Sequence, residues 1–185
     1  MTSAGAAPLW LVRHAQPLVA DGVCYGASDL PADTEATQRC AVLLAQVLPA
    51  HTRVLSSPLQ RCTQLAQALV QVRSDLCWTS DHRLAEMDFG VWEGWRWADI
   101  PKAALDQWVA EFGSWRFGGR ESVDAVMSRV AAAWHEARSS AVPTAWLCHA
   151  GVARAAQLIA RGQQAVHSSA DWPQQGLAFG EFVRL

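Results

Sequence analysis

The sequence predicts an α/β domain: a three-layer sandwich with a mostly parallel central sheet, helices on both faces, and a helical lid insertion. Three observations lead there. Two apolar runs, Leu9-Trp10-Leu11-Val12-Arg13-His14 and Thr144-Ala145-Trp146-Leu147-Cys148-His149, each close on a histidine followed by small or turn-forming residues. Continuous apolar runs of this length read as strands buried on both faces of a parallel sheet. Strand-like and helix-like segments alternate along the chain, the pattern of βα units. The alternation is interrupted once, between about residues 81 and 119, by a tryptophan-rich stretch. If both histidine runs lie in one parallel sheet, His14 and His149 project beyond the carboxyl ends of their strands, where open α/β sheets bind ligands.

Each element has its own signal. After the first strand, Gln16 to Asp33 is polar and holds Pro17, Gly22, Gly26 and Pro31, the composition of a loop. Asp33 or Thr34 can cap a helix running to about Val47, with Pro49 just beyond it. Thr52 to Ser56 reads as a strand. Pro58, at a first helical position, opens a helix through about Val70. Leu76 to Thr79 reads as a further strand and Met87 to Gly94 as a loop. Asp99 to Phe112 is helical in character, interrupted or begun at Pro101. Ser122 to Ser139 carries Val123, Val126, Val130 and Trp134 at helical spacing. Val152 to Ala160 follows the second histidine run as a helix, and Leu177 to Leu185 reads as a last strand.

With 185 residues the chain suits a single domain, residues 1–185, with about 81–119 as the insertion. An apolar fraction of 51% supports a substantial core, and the formal net charge of −2 gives no general attraction to nucleic acid or anionic membranes. Five scattered cysteines without a CxxC pair read as reduced thiols of a cytoplasmic protein. Met1 to Pro8 lacks the basic start and apolar stretch of a signal peptide. No apolar run approaches the roughly 20 residues that span a bilayer. Ten tryptophans are present, and five of them fall between Trp92 and Trp115. They suit the packing of the insertion, an aromatic wall for a flat, ring-bearing substrate, or both at once.

The chemistry-bearing residues are few. His14, His149 and the neighbouring Arg13 form a plausible site for holding and moving a phosphoryl group. Ser57-Pro58-Leu59-Gln60-Arg61 places an arginine in the first turn of a helix, whose free N–H groups favour an anion. Arg83-Leu84-Ala85-Glu86-Met87-Asp88-Phe89-Gly90-Val91-Trp92-Glu93-Gly94 offers three carboxylates, Glu86, Asp88 and Glu93. Any of these could protonate a leaving alkoxide if its pKa were raised. No HxxxH spacing or carboxylate cluster suggests a metal, and no cofactor is expected.

These pieces together resemble the histidine phosphatase superfamily, also called the phosphoglycerate mutase-like family. The matching motifs are Arg13-His14-Ala15, Ser57-Pro58-x-x-Arg61, Arg83-Leu84-x-Glu86 with Phe89-Gly90-x-Trp92-Glu93-Gly94, and Cys148-His149-Ala150-Gly151, in the family's order and over nearly the whole chain. The resemblance implies that His14 is the nucleophile that becomes a phosphohistidine and that Arg13, Arg61 and His149 hold the phosphate. It implies that Glu86 is the general acid and later the base. Gln16, Tyr25 and Ala150 are expected to contact substrate, and Arg96 and Arg116 are further candidates. Within the family, Gly22-x-Cys24-Tyr25-Gly26 with Asp29-Leu30-Pro31, Met87 to Gly94, and Trp97-Ala98-Asp99-Ile100-Pro101 resemble the α-ribazole phosphatase branch of cobalamin synthesis. That branch acts on α-ribazole 5′-phosphate or the related cobalamin phosphate. Ala20 stands where many members of the family have a phosphate-contacting asparagine, Ala27 where the α-ribazole branch often has arginine, and Arg120 separates Gly119 from Glu121-Ser122 where a contiguous Gly-Glu-Ser is typical.

The expected partner is a small-molecule phosphate ester, with neither nucleic acid nor membrane, and the expected state is a monomer or homodimer. A broad-specificity phosphatase, a mutase moving phosphate between sugar-acid positions, and a non-catalytic binding module on the same fold are the alternatives. Cys148-x-x-Gly151-x-x-Arg154 also fits the phosphate loop of cysteine-dependent phosphatases, in which a thiolate attacks phosphorus. His51, His82, His135 and His167 match no motif and read as surface residues.

Overall fold

A computed structural model describes residues 7–185. Most of the N-terminal stretch judged for a signal peptide, residues 1–6, lies outside them. Five strands form one sheet: β1 (Leu9–Arg13), β2 (Arg53–Ser56), β3 (Trp78–Ser80), β4 (Thr144–Cys148) and β5 (Phe182–Arg184). Their order is β3-β2-β4-β1-β5. The first four run parallel, and β5 lies antiparallel along β1. Five helices accompany them: α1 (Thr34–Val47), α2 (Gln60–Val72), α3 (Lys102–Ala110), α4 (Val123–Ser139) and α5 (Ala150–Ala160). The architecture is the three-layer α/β sandwich that the strand–helix alternation predicts.

Strand residues alternate between two apolar layers. Trp10, Val12, Val54, Ala145 and Leu147 face α1 and α2, with Leu44, Leu65 and Leu69 between. Leu9, Leu11, Leu55, Trp146 and Cys148 face α4 and α5, with Val126, Val130 and Val152. Burial on both faces is why β1 and β4 are apolar at consecutive positions. Asp33 caps α1 as its side chain suggests, accepting the Ala36 N–H at 2.7 Å.

Several boundaries differ from the sequence reading, each for a reason of tertiary origin. α2 begins at Gln60 rather than Pro58, because Leu59 keeps an extended conformation and the first free N–H, on Gln60, is capped at 2.6 Å by Asp29 from another loop. α5 begins at Ala150, two residues earlier than expected, with His149 as its N-cap. Gly151 reads as a turn residue in sequence. Its real constraint is space, since a Cβ there would run into the Glu86 carboxylate. The final strand is only Phe182–Arg184. Leu177 to Glu181 turns instead at Gly180, which has φ +74°, and closes over β1 through Gly180 N–H to His14 O (3.0 Å). β3 is shifted toward Ser80, and α3 begins directly after Pro101, one of the two possibilities the sequence offers, and stops at Ala110 rather than Phe112.

The insertion holds α3 and short 3₁₀ turns at His82–Leu84, Gly90–Trp92, Trp97–Asp99 and Phe117–Gly119. It is tied to the loop after β1 by Cys24 N–H to Trp95 O (2.7 Å), Gly94 N–H to Cys24 O (2.8 Å) and Trp97 N–H to Gly22 O (2.9 Å). Phe117 is fully buried at its centre, stacked on Trp108 (centroids 4.4 Å apart) and Trp97 (6.0 Å). The packing reading of the tryptophans therefore holds for Trp97 and Trp108, while Trp95 and Trp115 are exposed. No helix among the described residues is long and apolar enough to cross a membrane.

Leu44 is fully buried between α1 and the sheet. Leu44→Ala is expected to lower unfolding free energy by about 2–5 kcal/mol, the usual cost of an emptied leucine site, as read from the urea midpoint.

Candidate active site

The register of the sheet builds the site. Arg13 pairs with Cys148 across β1 and β4, so the next residue of each strand, His14 and His149, emerges beside the other. The His14 N–H bonds the Cys148 carbonyl at 3.1 Å, and the two ring centroids are 5.0 Å apart. Both residues are buried. His14 Nδ1 lies 2.7 Å from the Ala15 carbonyl oxygen, which can only accept, so Nδ1 carries the proton and Nε2 carries the lone pair. The Nε–H of Arg61 donates to that Nε2 at 3.3 Å and to His149 Nδ1 at 3.2 Å. His149 therefore holds its proton on Nε2, 2.7 Å from Ser57 Oγ, with Cys62 Sγ 3.5 Å away. Two imidazole lone pairs converge on one guanidinium N–H.

Arg61 is fully buried, and its remaining contacts are to backbone: Nη1 to Ser28 O at 2.7 Å and Nη2 to Gly26 O at 2.6 Å. The Tyr25 ring lies 5.5 Å from its guanidinium carbon. Arg13 is held by the C-terminal turn. Its Nη1 donates to Leu177 O at 2.8 Å, and its guanidinium lies 3.8 Å over the Phe179 ring. Its Nε is buried without a hydrogen-bond partner. Glu86 accepts Gly151 N–H at 3.0 Å and Met87 N–H at 3.1 Å, which places its carboxylate at the start of α5, next to His149. Arg129, paired with Glu121 at 2.7 Å, donates to the carbonyls of Arg83 and Ala85 and so steadies the loop that carries Glu86.

The electrostatics are those of an anion site. Burial, then the Arg61 guanidinium, pulls the pKa of His14 down to about 3. Burial and the neighbouring His14 and Arg61 push His149 well below its ordinary value. Both rings are thus neutral near pH 7, and Arg13 and Arg61 supply the positive charge. Burial first, then the charges around it, keeps His149 neutral, and an anion bound against it would favour its protonated form.

Of the three carboxylates in the Glu86 loop, only Glu86 stands at this site as a candidate acid. Asp88 accepts the Gly90 N–H at 2.8 Å and faces Arg120 at 3.7 Å. Glu93 binds backbone N–H groups of the loop after β1. Tyr25 borders Arg61, and Ala150 opens α5 beside Glu86. Gln16 is exposed and lines a separate groove with Phe179 and Gly180. Arg96 and Arg116 are exposed. Cys148 is fully buried on the α4–α5 side of β4, and burial pushes its thiol up to about 12, the opposite of an attacking thiolate. His51, His82, His135 and His167 are all exposed. Among the described residues no group of three or more His, Cys, Asp or Glu could hold a metal ion.

Three features were not singled out from the sequence: Ser57 as the partner of His149, Glu93 as a backbone clamp, and a cavity of about 230 Å³ beside the site. Glu86, Ala150 and Gly151 form one wall of the cavity, and Trp97, Trp108, Phe112 and Trp172 supply much of the rest. Trp108 Nε1 and Arg154 Nε are buried there without partners. The Ser57-Pro58 turn before Arg61 was the available signal for the first. The other two arise only from tertiary packing.

The depressed histidines carry a consequence for stability. Below about pH 6.5 the unfolded chain binds protons on both imidazoles, while folded His14 refuses its proton until about pH 3. Stability from this source is complete above pH 6.5 and is lost as pH falls toward 3, at up to about 1.4 kcal/mol per pH unit for His14, and His149 acts in the same direction. Urea midpoints between pH 7 and pH 4 should fall more steeply for the native protein than for His14→Gln, and equal slopes would contradict the assignment.

Known proteins share this fold. The family model described as histidine phosphatase superfamily (branch 1) matches residues 9–173. A search of curated proteins finds no match. Among solved structures, Mycobacterial hydrolase 2 superposes with a TM-score of 0.79 at 24% identity, covering 97% of this chain and 81% of that one. The complex of a mycobacterial glucosyl-3-phosphoglycerate phosphatase with inorganic phosphate gives 0.78 at 22% identity, covering 97% and 89%. The protein TTHB049 from Thermus thermophilus gives 0.69 at 27% identity, covering 96% and 92%. The span matched by the family model begins at the first strand and runs past His149: the chain belongs to the histidine phosphatase superfamily, branch 1.

Proposed function

We propose that the protein is a phosphomonoesterase that works through a phosphohistidine on His14, and that its substrate is α-ribazole 5′-phosphate. One observation carries the reaction type. His14 Nε2 is held unprotonated, 3.3 Å from the Nε–H of a fully buried arginine and beside a second neutral imidazole. A neutral nitrogen lone pair in a cationic pocket is a nucleophile aimed at an anionic phosphoryl group. In the first step Nε2 bonds phosphorus while the ester P–O bond breaks, and the departing oxygen takes a proton from Glu86. In the second step water attacks the phosphohistidine and gives its proton to Glu86. Inorganic phosphate leaves, and the imidazole is regenerated. Arg13, Arg61 and protonated His149 stabilise the charge on the equatorial oxygens in both steps.

The substrate follows from what lies beside Glu86. The leaving group must sit against the acid that protonates it, and the cavity there is walled by indole and phenyl rings. A flat bicyclic base attached to the ribose fits such walls, and the unpartnered Trp108 Nε1 and Arg154 Nε would donate to its acceptors. The likeness of the Gly22 to Pro31 and Met87 to Pro101 segments to the α-ribazole branch supports the same substrate. The cysteine mechanism is not supported, given the raised and fully buried Cys148 thiol.

A panel of phosphate esters compared by kcat/KM tests the substrate. α-Ribazole 5′-phosphate should exceed sugar phosphates and nucleotides by at least about tenfold, the effect of one good additional contact. His14→Ala should lose about a thousandfold or more of kcat/KM on every ester. Glu86→Gln should lose about a hundredfold on alkyl phosphates, which need protonation, and far less on p-nitrophenyl phosphate. Equal losses on both would remove Glu86 from the acid role.

A further inference from the structure

Glu93 makes more hydrogen bonds than any residue of the candidate site, yet it touches neither histidine. Its Oε2 accepts the N–H groups of Gly26 and Ser28, each at 3.0 Å, and the Ser28 hydroxyl. Its Oε1 accepts the N–H of Ala27 at 2.9 Å and that of Phe89 at 3.0 Å. Three consecutive backbone donors on one carboxylate form an anion nest, here occupied by a side chain of the protein itself. The carbonyls of Gly26 and Ser28 are the groups that hold the two Nη atoms of Arg61.

The amide linking Gly26 to Ala27 shows the connection most directly. In a trans peptide the C=O and N–H point opposite ways. This one presents its oxygen to Arg61 Nη2 and its N–H to Glu93 Oε1. A carboxylate, an aligned peptide dipole and a guanidinium thus form a polarised series, in which each member strengthens the next. Burial opposes ionisation of Glu93, but the hydrogen bonds from Ser28 and the backbone outweigh it and hold the carboxyl below its ordinary value. The tripeptide has no slack, because a Cβ on Gly26 would collide with the Met87 carbonyl. With both Nη atoms fixed, the direction of the Arg61 Nε–H toward the two imidazoles is fixed as well.

We infer that Glu93 is a positioning residue for phosphate binding: its carboxylate sets the Gly26-Ala27-Ser28 backbone, which orients the Arg61 guanidinium toward the phosphoryl group. The inference rests on the reading of Arg61 as a phosphate ligand. Glu93→Gln is the informative change, since it keeps size and shape but replaces one acceptor oxygen with an NH2 group facing backbone N–H donors. A mere staple of the insertion would affect stability alone. A positioning residue must also alter what Arg61 does.

The test measures inorganic phosphate affinity by isothermal titration, kcat/KM on p-nitrophenyl and alkyl phosphates, and the Arg61 Nε–H NMR resonance, all on the full chain. Leu44→Ala, in the core on the α1–α2 face, serves as a control for lost stability. Glu93→Gln should weaken phosphate binding at least tenfold and lower kcat/KM by a similar factor on both ester types, unlike the leaving-group-dependent loss of Glu86→Gln. It should also shift the Arg61 Nε–H resonance, and Leu44→Ala should do none of these. Phosphate affinity and the resonance both unchanged in Glu93→Gln would overturn the inference. If that variant does not fold, Glu93→Asp answers the same question, with unchanged phosphate affinity again the overturning result. Native protein that neither binds phosphate nor hydrolyses any ester would refute the phosphatase reading and this inference with it. Native protein that does both, with a Glu93→Gln variant indistinguishable from it, would refute the inference alone.

Discussion

The rest of the site depends on a buried positive charge. Arg61 lies without solvent contact among two imidazole nitrogens and two backbone carbonyls. A guanidinium in such a place is tolerable only when its donors are engaged, because an unpaired buried charge costs far more than a hydrogen bond returns. Its planar fork is suited to the task, with the two Nη atoms anchored at one end and Nε directed at the two imidazoles. Burial, with its field added, keeps both histidines neutral, and their lone pairs converge on its Nε–H.

Two acid–base supports stand behind this centre, one on each side. Glu93 arranges the loop that grips Arg61. Arg129, with Glu121, arranges the loop that carries Glu86. Charged residues that touch neither histidine thus brace the loops on which Arg61 and Glu86 are held. The aromatic segment joins the two through Phe89, whose N–H reaches Glu93 and whose ring packs on Trp97 and Phe117.

The sheet and its helices were legible because burial on both faces leaves a plain record in β1 and β4, and because Asp33 caps α1 with its own side chain. Boundaries set by distant partners were not legible. Asp29 caps α2 from another loop, and Gly151 answers to Glu86 rather than to a turn. Leu177 to Glu181 has the composition of a strand but serves as a clasp on Arg13. Within the site, His14, His149, Arg61 and Glu86 were readable from their motifs. Glu93 was visible as a carboxylate, but its service to the backbone was not, since nothing local distinguishes an acid that donates a proton from one that collects N–H groups. The cavity was foreshadowed only by the density of tryptophan, which cannot say which rings face inward.

The pairing of β1 with β4 has a further consequence. His14 and His149 come from opposite ends of the polypeptide and become neighbours only when those central strands zip together. Contacts between remote segments form late and cooperatively, since the intervening loop must be closed first. A nascent or partly melted molecule therefore has no rudimentary version of the catalytic machinery, and turnover should report completion of the central sheet rather than any local order.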